Sequence, residues 1–269
     1  MTEPLLPAVV AGLFGLAFGS FLNVCTIRWP EDRSVVHPRS RCPRCDALIH
    51  WYDNLPVLSW IVLRGRCRSC GEPISLQYPL VEMATALIWA GLVWYHGIGW
   101  EAVRGALFLT IVFGISLSDA RYYVIPDQFS VGGTVLGLGM AFLPGGIRGL
   151  DALVGAATGY VGLWLVGLGG TWLVRRLNPS RLEDAGVESA LGGGDVKMMM
   201  MVGAFLGPWG VALTVFLGSV LALVVYGPIS LLTKKLIPLG IFLAAGGALA
   251  YGWGDAILDW YLGGMLGLR

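Results

Sequence analysis

Long apolar runs separated by short charged segments govern what this chain can fold into. Leu5 to Ile27 is a stretch of 23 residues without a single charge. About 20 such residues are enough for a helix to cross a bilayer. No basic region precedes this run and no small-x-small cleavage site closes it, so it reads as a retained span and not as a signal peptide. A polar stretch, Arg28 to Gln77, follows. Further apolar runs lie at about 79–96, 102–118, 128–143, 150–174, 196–207, 209–232 and 236–253. The run after residue 196 is too long for one ordinary span, and Gly207-Pro208 is its natural break, because proline cannot donate into a helix ladder. The pattern predicts an all-α polytopic membrane protein of about eight transmembrane helices. Only 13% of the residues are charged and 56% are hydrophobic, against about 25% charge in soluble domains. A disordered chain, a collagen and a small disulfide scaffold are excluded. The net charge of +1 gives no bulk field for nucleic acid.

Charge fixes the expected topology. With the 28–77 stretch in the cytoplasm, alternation puts the 119–127, 175–195 and 233–236 loops there too. Of the 18 basic residues, all but Arg104, Arg148 and Arg269 then fall on that side. This meets the positive-inside rule, with both termini outside. Without a break at Pro208, Lys234 and Lys235 would be stranded outside. Gly133-x-x-x-Gly137 and Gly155-x-x-x-Gly159 allow close helix packing, although glycine is common enough here, at 40 residues, for chance spacing. No internal repeat is evident.

Four of the five cysteines form the pattern Cys42-x-x-Cys45 and Cys67-x-x-Cys70. Two such knuckles let four thiolates converge on one structural zinc. The alternatives are two disulfides or unligated thiols. The reducing side of the membrane favours free thiols, and a polar segment with little core gains most from a metal staple. Cys25, alone in an apolar span, reads as packing. His37 and His50 read as surface or hydrogen-bonded residues, since four thiolates already complete a site.

Acids at the membrane face are costly and mark function by default. Asp119 ends the third expected span, and Asp195 opens the sixth in Gly192-Gly-Gly-Asp195-Val-Lys197. Both fall at cytoplasmic span ends, at similar depth. Two aspartates that meet share one proton, so that one activates water as a base while the other polarises a scissile carbonyl and donates to the amine. Glycines before Asp195 permit close approach. Lys197 could instead bind phosphate or a lipid headgroup, but the spacing is not that of a P-loop. The plain alternative is an N-cap at Asp195 and a solvated helix end at Asp119.

At this point the sequence resembles the prepilin peptidases, or type IV leader peptidases. Gly19-Ser-Phe-Leu-Asn-Val24, Arg28-Trp-Pro30, Ser40-Arg-Cys-Pro-Arg-Cys45, Asn54-Leu-Pro-Val-Leu-Ser-Trp60, Arg64-Gly-Arg-Cys67 and Gln77-Tyr-Pro-Leu-Val-Glu82 are similar to its N-terminal and cytoplasmic motifs. Asp119 with Ile125-Pro-Asp127, and Gly192-Gly-Gly-Asp195-Val-Lys197, resemble its two aspartate motifs. The resemblance implies an aspartyl endopeptidase of the bacterial inner membrane. It would cut the basic leader of type IV prepilins and type II secretion pseudopilins after a glycine, at the cytoplasmic face. It would then N-methylate the new terminal residue with S-adenosylmethionine. Carried over, the catalytic pair is Asp119 and Asp195, with Asp127, Gly192, Gly194 and Lys197 in support. The zinc ligands are Cys42, Cys45, Cys67 and Cys70, although some members lack these cysteines. The expected division is a first transmembrane helix over 1–27, a cytoplasmic zinc-binding domain over 28–78, and a seven-helix membrane peptidase domain over 79–269.

Two other classes compete. A transporter with a zinc-bound loop needs paired acids near mid-membrane, and here they sit at span ends. A zinc-ribbon adaptor on an anchor does not need eight spans. The methyl-transfer half has no glycine-rich Rossmann loop behind it. Glu82 and the arginine cluster are its candidate contributors, with Glu82 equally readable as an arginine's partner. The short, glycine-rich spans around Gly132, Gly133, Gly137, Gly139, Gly203 and Gly207 are expected to give a substrate helix room.

Overall fold

The computed structural model describes residues 4–178, 187–233 and 238–265. Arg181, Glu183, Asp184, Lys234, Lys235 and Arg269 lie outside the described residues. Among the described residues the regular structure is helical, with two isolated β-bridges and no strand. The longer helices are α1 (Leu5–Arg28), α3 (Gln77–His96), α4 (Trp100–Tyr122), α5 (Asp127–Met140), α6 (Gly149–Leu177), α7 (Gly193–Thr233) and α8 (Leu239–Asp259), with a short α2 (Leu58–Val62) in the polar segment. Inside α7, Gly207 has φ 71° and ψ −175°, so the helix breaks at the residue before Pro208. Pro208 denies the residue before it the α conformation, and glycine takes the positive φ without strain.

Among the described residues, five helices are long and apolar enough to cross a membrane: Leu5–Glu31, Trp100–Tyr122, Gly149–Leu177, Gly193–Gly227 and Leu239–Asp259. Helical segments therefore occur at each expected run, but the structure does not establish eight crossings. With 14 residues, α5 is only about 21 Å long at about 1.5 Å per residue. That is short of the ~30 Å hydrocarbon thickness. The long helices carry large apolar side chains outward, among them Phe14, Leu87, Val166, Leu223 and Trp253. Such surfaces are untenable in water and natural against lipid.

The chain divides after Thr110, inside α4, into two compact units. In the first, α1 packs on α3 through small residues. A Cβ at Gly15 would lie 2.7 Å from Ala86 Cα, and one at Gly19 would lie 2.6 Å from Glu82 Cα. Phe18 stacks on Trp89 at 4.4 Å beside this seam. Two linked knuckles fill much of the polar segment. In each, the first cysteine N–H donates to the carbonyl five residues on, Cys42 to Ala47 at 3.0 Å and Cys67 to Glu72 at 2.8 Å. Ile49 and Ile74 then donate back to Ser40 and Gly65. The left-handed corner is Asp46 (φ 57°) in one and Gly71 (φ 73°) in the other. This is a short internal repeat, Arg41-Cys-x-x-Cys45 through Ile49 and Arg66-Cys-x-x-Cys70 through Ile74, where the sequence suggested none.

In the second unit, α7 is the central helix, packed by α5, α6 and α8. Both glycine pairs singled out by spacing are contact faces on it. A Cβ at Gly155 or Gly159 would collide with the backbone carbonyls of Gly203 or Met199. At Gly133 and Gly137 it would lie 2.8 Å from Met201 and Phe205 side-chain carbons. The expected room for a substrate helix is thus filled at Gly133, Gly137 and Gly203, where close packing wins. Gly132 and Gly139 face open space.

Candidate active site and metal centre

The acids converge because three chain segments end at one place. Asp119 lies in the last turn of α4 and is 6% exposed. The chain then turns at Tyr123, with φ 55°, and Pro126 precedes α5 in an extended conformation. Between them, buried Ile125 wedges against the starts of two other helices. A Cβ at Gly194, or one at Gly240, would lie 3.0 Å from an Ile125 carbon. Ile125 thereby holds the start of α7, with Asp195, and the start of α8 against the end of α4.

Asp195 sits half-buried in the first turn of α7. Its N–H donates to Gly192 O at 3.2 Å. A Cβ at Gly192 would lie 2.9 Å from Asp195 Oδ2, so a side chain there would displace this carboxylate. The charge of Asp119 acts on Asp195, which places the two carboxylates within electrostatic reach. Asp119 Oδ2 also accepts the backbone N–H of Ile241 at 3.1 Å. A Cβ at Gly240 would lie 2.8 Å from the same oxygen. Asp127 does not join the pair. It is exposed at the first position of α5, and both its oxygens accept from Lys197 Nζ at 2.8 Å. Lys197 is therefore engaged by a protein carboxylate and ties the start of α5 to the start of α7.

In the first unit the four knuckle thiols meet. All four Sγ atoms lie within 4.8 Å of one another, and Cys42 Sγ is 3.9 Å from Cys70 Sγ. A tetrahedral zinc with Zn–S of about 2.3 Å sets its sulfurs about 3.8 Å apart. The cluster thus fits an ion, while a disulfide needs about 2 Å. The N–H groups of Cys45 and Arg44 draw the Cys42 thiol down to about 7. Cys70, despite the lowering hydrogen bond from Glu72, is pushed up to about 12 by the neighbouring thiols of Cys45, Cys67 and Cys42. Four thiolates this close need a cation among them. Neither His37 nor His50 belongs to the ligand group; His50 stacks on Tyr52 at 5.1 Å. Cys25 is buried in α1 and packs.

Two family descriptions match this chain. "Bacterial Peptidase A24 N-terminal domain" covers residues 13–96 and "Type IV leader peptidase family" covers residues 106–228. A protein of Aeromonas hydrophila is 34% identical over 93% of this chain and 92% of its own length. The chain belongs to the type IV leader peptidase family. One from Stutzerimonas stutzeri is 33% identical over 97% of this chain and 96% of its own length. One from Myxococcus xanthus is 37% identical over 86% of this chain and 68% of its own length. All three are called prepilin leader peptidase/N-methyltransferase. No solved structure matches. The leader peptidase match spans Asp119, Asp127, Asp195 and Lys197, and the N-terminal match spans the four cysteines.

Glu82 takes a partner other than the arginine weighed from sequence. It is buried in α3 and accepts the N–H of Val57 at 2.7 Å, with Ser20 as a further partner. Val57 has φ 60°, which is strained for a β-branched residue, and Glu82 pins that turn. Sequence reasoning passed over Gly240 and Ile241. The available signal was Pro238-Leu-Gly240 at the mouth of the last apolar run, a small residue where a helix begins.

Proposed function

We propose that this chain is an aspartyl endopeptidase that cleaves the leader of type IV prepilins and pseudopilins after glycine. Asp119 and Asp195 are its catalytic pair. Two carboxylates from different helices, set within electrostatic reach and closed in by Ile125, carry this reading. At such a pair one carboxylate takes a proton from the attacking water. The other donates a hydrogen bond to the scissile carbonyl and then a proton to the leaving amine. Gly192 and Gly194 let the loop close on Asp195 and Ile125, and the Asp127–Lys197 ion pair orients the α5 and α7 starts. The relatives' names support the prepilin substrate class. The protein would lie in the bacterial inner membrane, and the distribution of basic residues supports a cytoplasmic side for the zinc segment and the aspartates.

Zinc at Cys42, Cys45, Cys67 and Cys70 is the structural ion of the first unit, because four converging thiolates leave no open position. The name N-methyltransferase carried by the relatives supports a second step, methylation of the new N-terminus. S-adenosylmethionine would supply the methyl group. Incubation with a synthetic prepilin in detergent, read by mass spectrometry, separates the two steps. Loss of leader cleavage in Asp119→Asn and in Asp195→Asn is the expected result, and full processing by either variant refutes the aspartyl mechanism.

A further inference from the structure

The first turn of α8 lies outside the leader peptidase match, which ends at residue 228, yet it touches the catalytic pair. We infer that the backbone N–H of Ile241, brought into reach by the missing side chain at Gly240, is a third component of the catalytic centre that holds Asp119 as the water-activating base. The inference rests on the aspartyl reading of Asp119 and Asp195.

Its basis is an asymmetry within the pair. Asp119 is nearly closed off from solvent at 6% exposure, which by itself disfavours its charged form, and its Oδ2 is held by an N–H 3.1 Å away that offsets this. Ile241 is the third residue of a 21-residue helix. The first four N–H groups of a helix have no partner within it. They also sit at the positive end of the macrodipole. A hydrogen bond from such a donor favours the ionised carboxylate over the neutral acid. Asp195, half-buried and sharing the same proton, is then the partner that carries it and donates to the scissile carbonyl. Among the described residues, Asp195 on α7 is the titratable group whose charge couples with Asp119. On α5, Asp127 is paired with Lys197. Gly240 has a separate reason to be glycine, since any Cβ there would lie 2.8 Å from Asp119 Oδ2 and 3.0 Å from Ile125 Cδ1. A methyl group at that place either pushes the carboxylate off the amide or lifts α8 away from it.

Ile241→Pro removes this donor without breaking a helix bond, leaves the weaker Gly240 N–H, and sets its ring carbon toward the carboxylate, so Gly240→Ala is measured beside it. Cleavage of a synthetic prepilin by the full-length protein in detergent should lose kcat about 10- to 100-fold, with KM within about twofold of wild type. The acid limb of the pH–rate profile should move to higher pH, because the base loses what favours its ionised form. Ile241→Ala, which restores the amide, should recover the rate to within a few-fold. Gly240→Ala should lower kcat in the same way and is the deciding variant if Ile241→Pro does not give a monodisperse protein. Wild-type kcat and pH profile in Ile241→Pro or in a folded Gly240→Ala would overturn the inference, as would an Ile241→Ala variant as impaired as the proline. Asp119→Asn in the same assay separates the two levels. If it still cleaves, the aspartyl reading fails. If it is dead while the α8 variants behave as wild type, only the role of α8 fails.

Discussion

The polar segment of the first unit and the helices of the second solve the same problem with opposite chemistry. Each must hold segments distant in sequence at fixed separation, and neither has a water-driven hydrophobic core to do it. Apart from the glycine seam of α1 on α3, the first unit relies on specific partners in its polar segment: four convergent thiols, an arginine–aspartate fork, and Glu82 on the N–H of Val57. The second uses absence. Gly155, Gly159 and Gly203 let α6 and α7 touch backbone to backbone, and Gly246 meets Thr214 and Gly218 in the same way between α7 and α8. Lipid tails are as apolar as leucine, so close van der Waals contact between helices replaces the hydrophobic effect. A partner-based unit fails when a partner is lost, and a contact-based unit fails when an atom is added.

Adding atoms to the second unit should therefore have the largest effect. Gly159→Leu, or Gly203→Val, inserts a side chain where the neighbouring backbone already stands, and α6 cannot stay on α7. The expected outcome is loss of monodisperse protein on size-exclusion chromatography in detergent, with cleavage lost alongside. Gly132→Ala and Gly139→Ala, on the same scaffold but facing open space, should purify as wild type. Equal behaviour of the two sets would end the distinction between packed and unpacked glycines.

Next in size is a change that leaves the scaffold alone. Asp119→Asn and Asp195→Asn should each reduce leader cleavage by about 10³-fold or more, in line with removal of an acid–base group. Thermal midpoint and zinc content should stay unchanged, since neither acid supports the first unit's partners. Asp127→Asn should cost less, about 10-fold, because Asp127 acts through Lys197 and the orientation of α5.

Removing a partner from the first unit comes third. Cys42→Ser should lower bound zinc from one per chain and open the 28–77 segment to protease, while the second unit keeps its size-exclusion profile. Acidification should do the same to the wild type. Metal binding needs thiolates, so protons compete with zinc and the ion is released as pH falls. Metal analysis after dialysis at stepped pH measures this. A metal-free wild type with two disulfides would contradict both the zinc and its cytoplasmic placement.

The parts legible in the sequence were those that local chemistry imposes. Pro208 forbids a continuous helix, and the break falls at Gly207. Cysteine pairs at x₂ spacing converge, and four-residue glycine spacing marks the faces of α5 and α6. The two aspartates were singled out as acids at the ends of apolar runs, while the count of crossings between them took 128–143 for a full span, which the 14-residue α5 is too short to be. What stayed hidden were partners made of backbone. Any residue but proline has an N–H, so nothing in Ile241 or Val57 announces that it donates to a carboxylate 122 or 25 positions away. The knuckle repeat was missed for a related reason. Its hydrogen bonds recur at matching positions, while only Arg, two Cys and Ile recur in sequence.

The smallest effect tests whether the first unit has any reserve beyond its metal. Arg68 follows Cys67 in the second knuckle and forks onto Asp53, with N–O distances from 2.6 to 3.0 Å. Its guanidinium carbon also lies 5.6 Å from the Tyr52 ring centroid. These hydrogen bonds hold the Asp53 carboxyl below its usual value. A depressed acid contributes its stabilisation above the unfolded carboxylate pKa and loses it as pH falls through the lower folded value. The fork therefore persists at pH values where thiolates are already being protonated. Arg68→Ala should leave zinc content at neutral pH unchanged, because the fork contributes no ligand. It should raise the pH at which the 28–77 segment becomes protease-sensitive by a few tenths of a unit, an effect that shrinks in about 1 M salt, where charges are screened beyond about 3 Å. An unchanged pH threshold in Arg68→Ala would mean that the metal alone holds the knuckles, and that the polar segment depends on its single ion as completely as the second unit depends on its glycines.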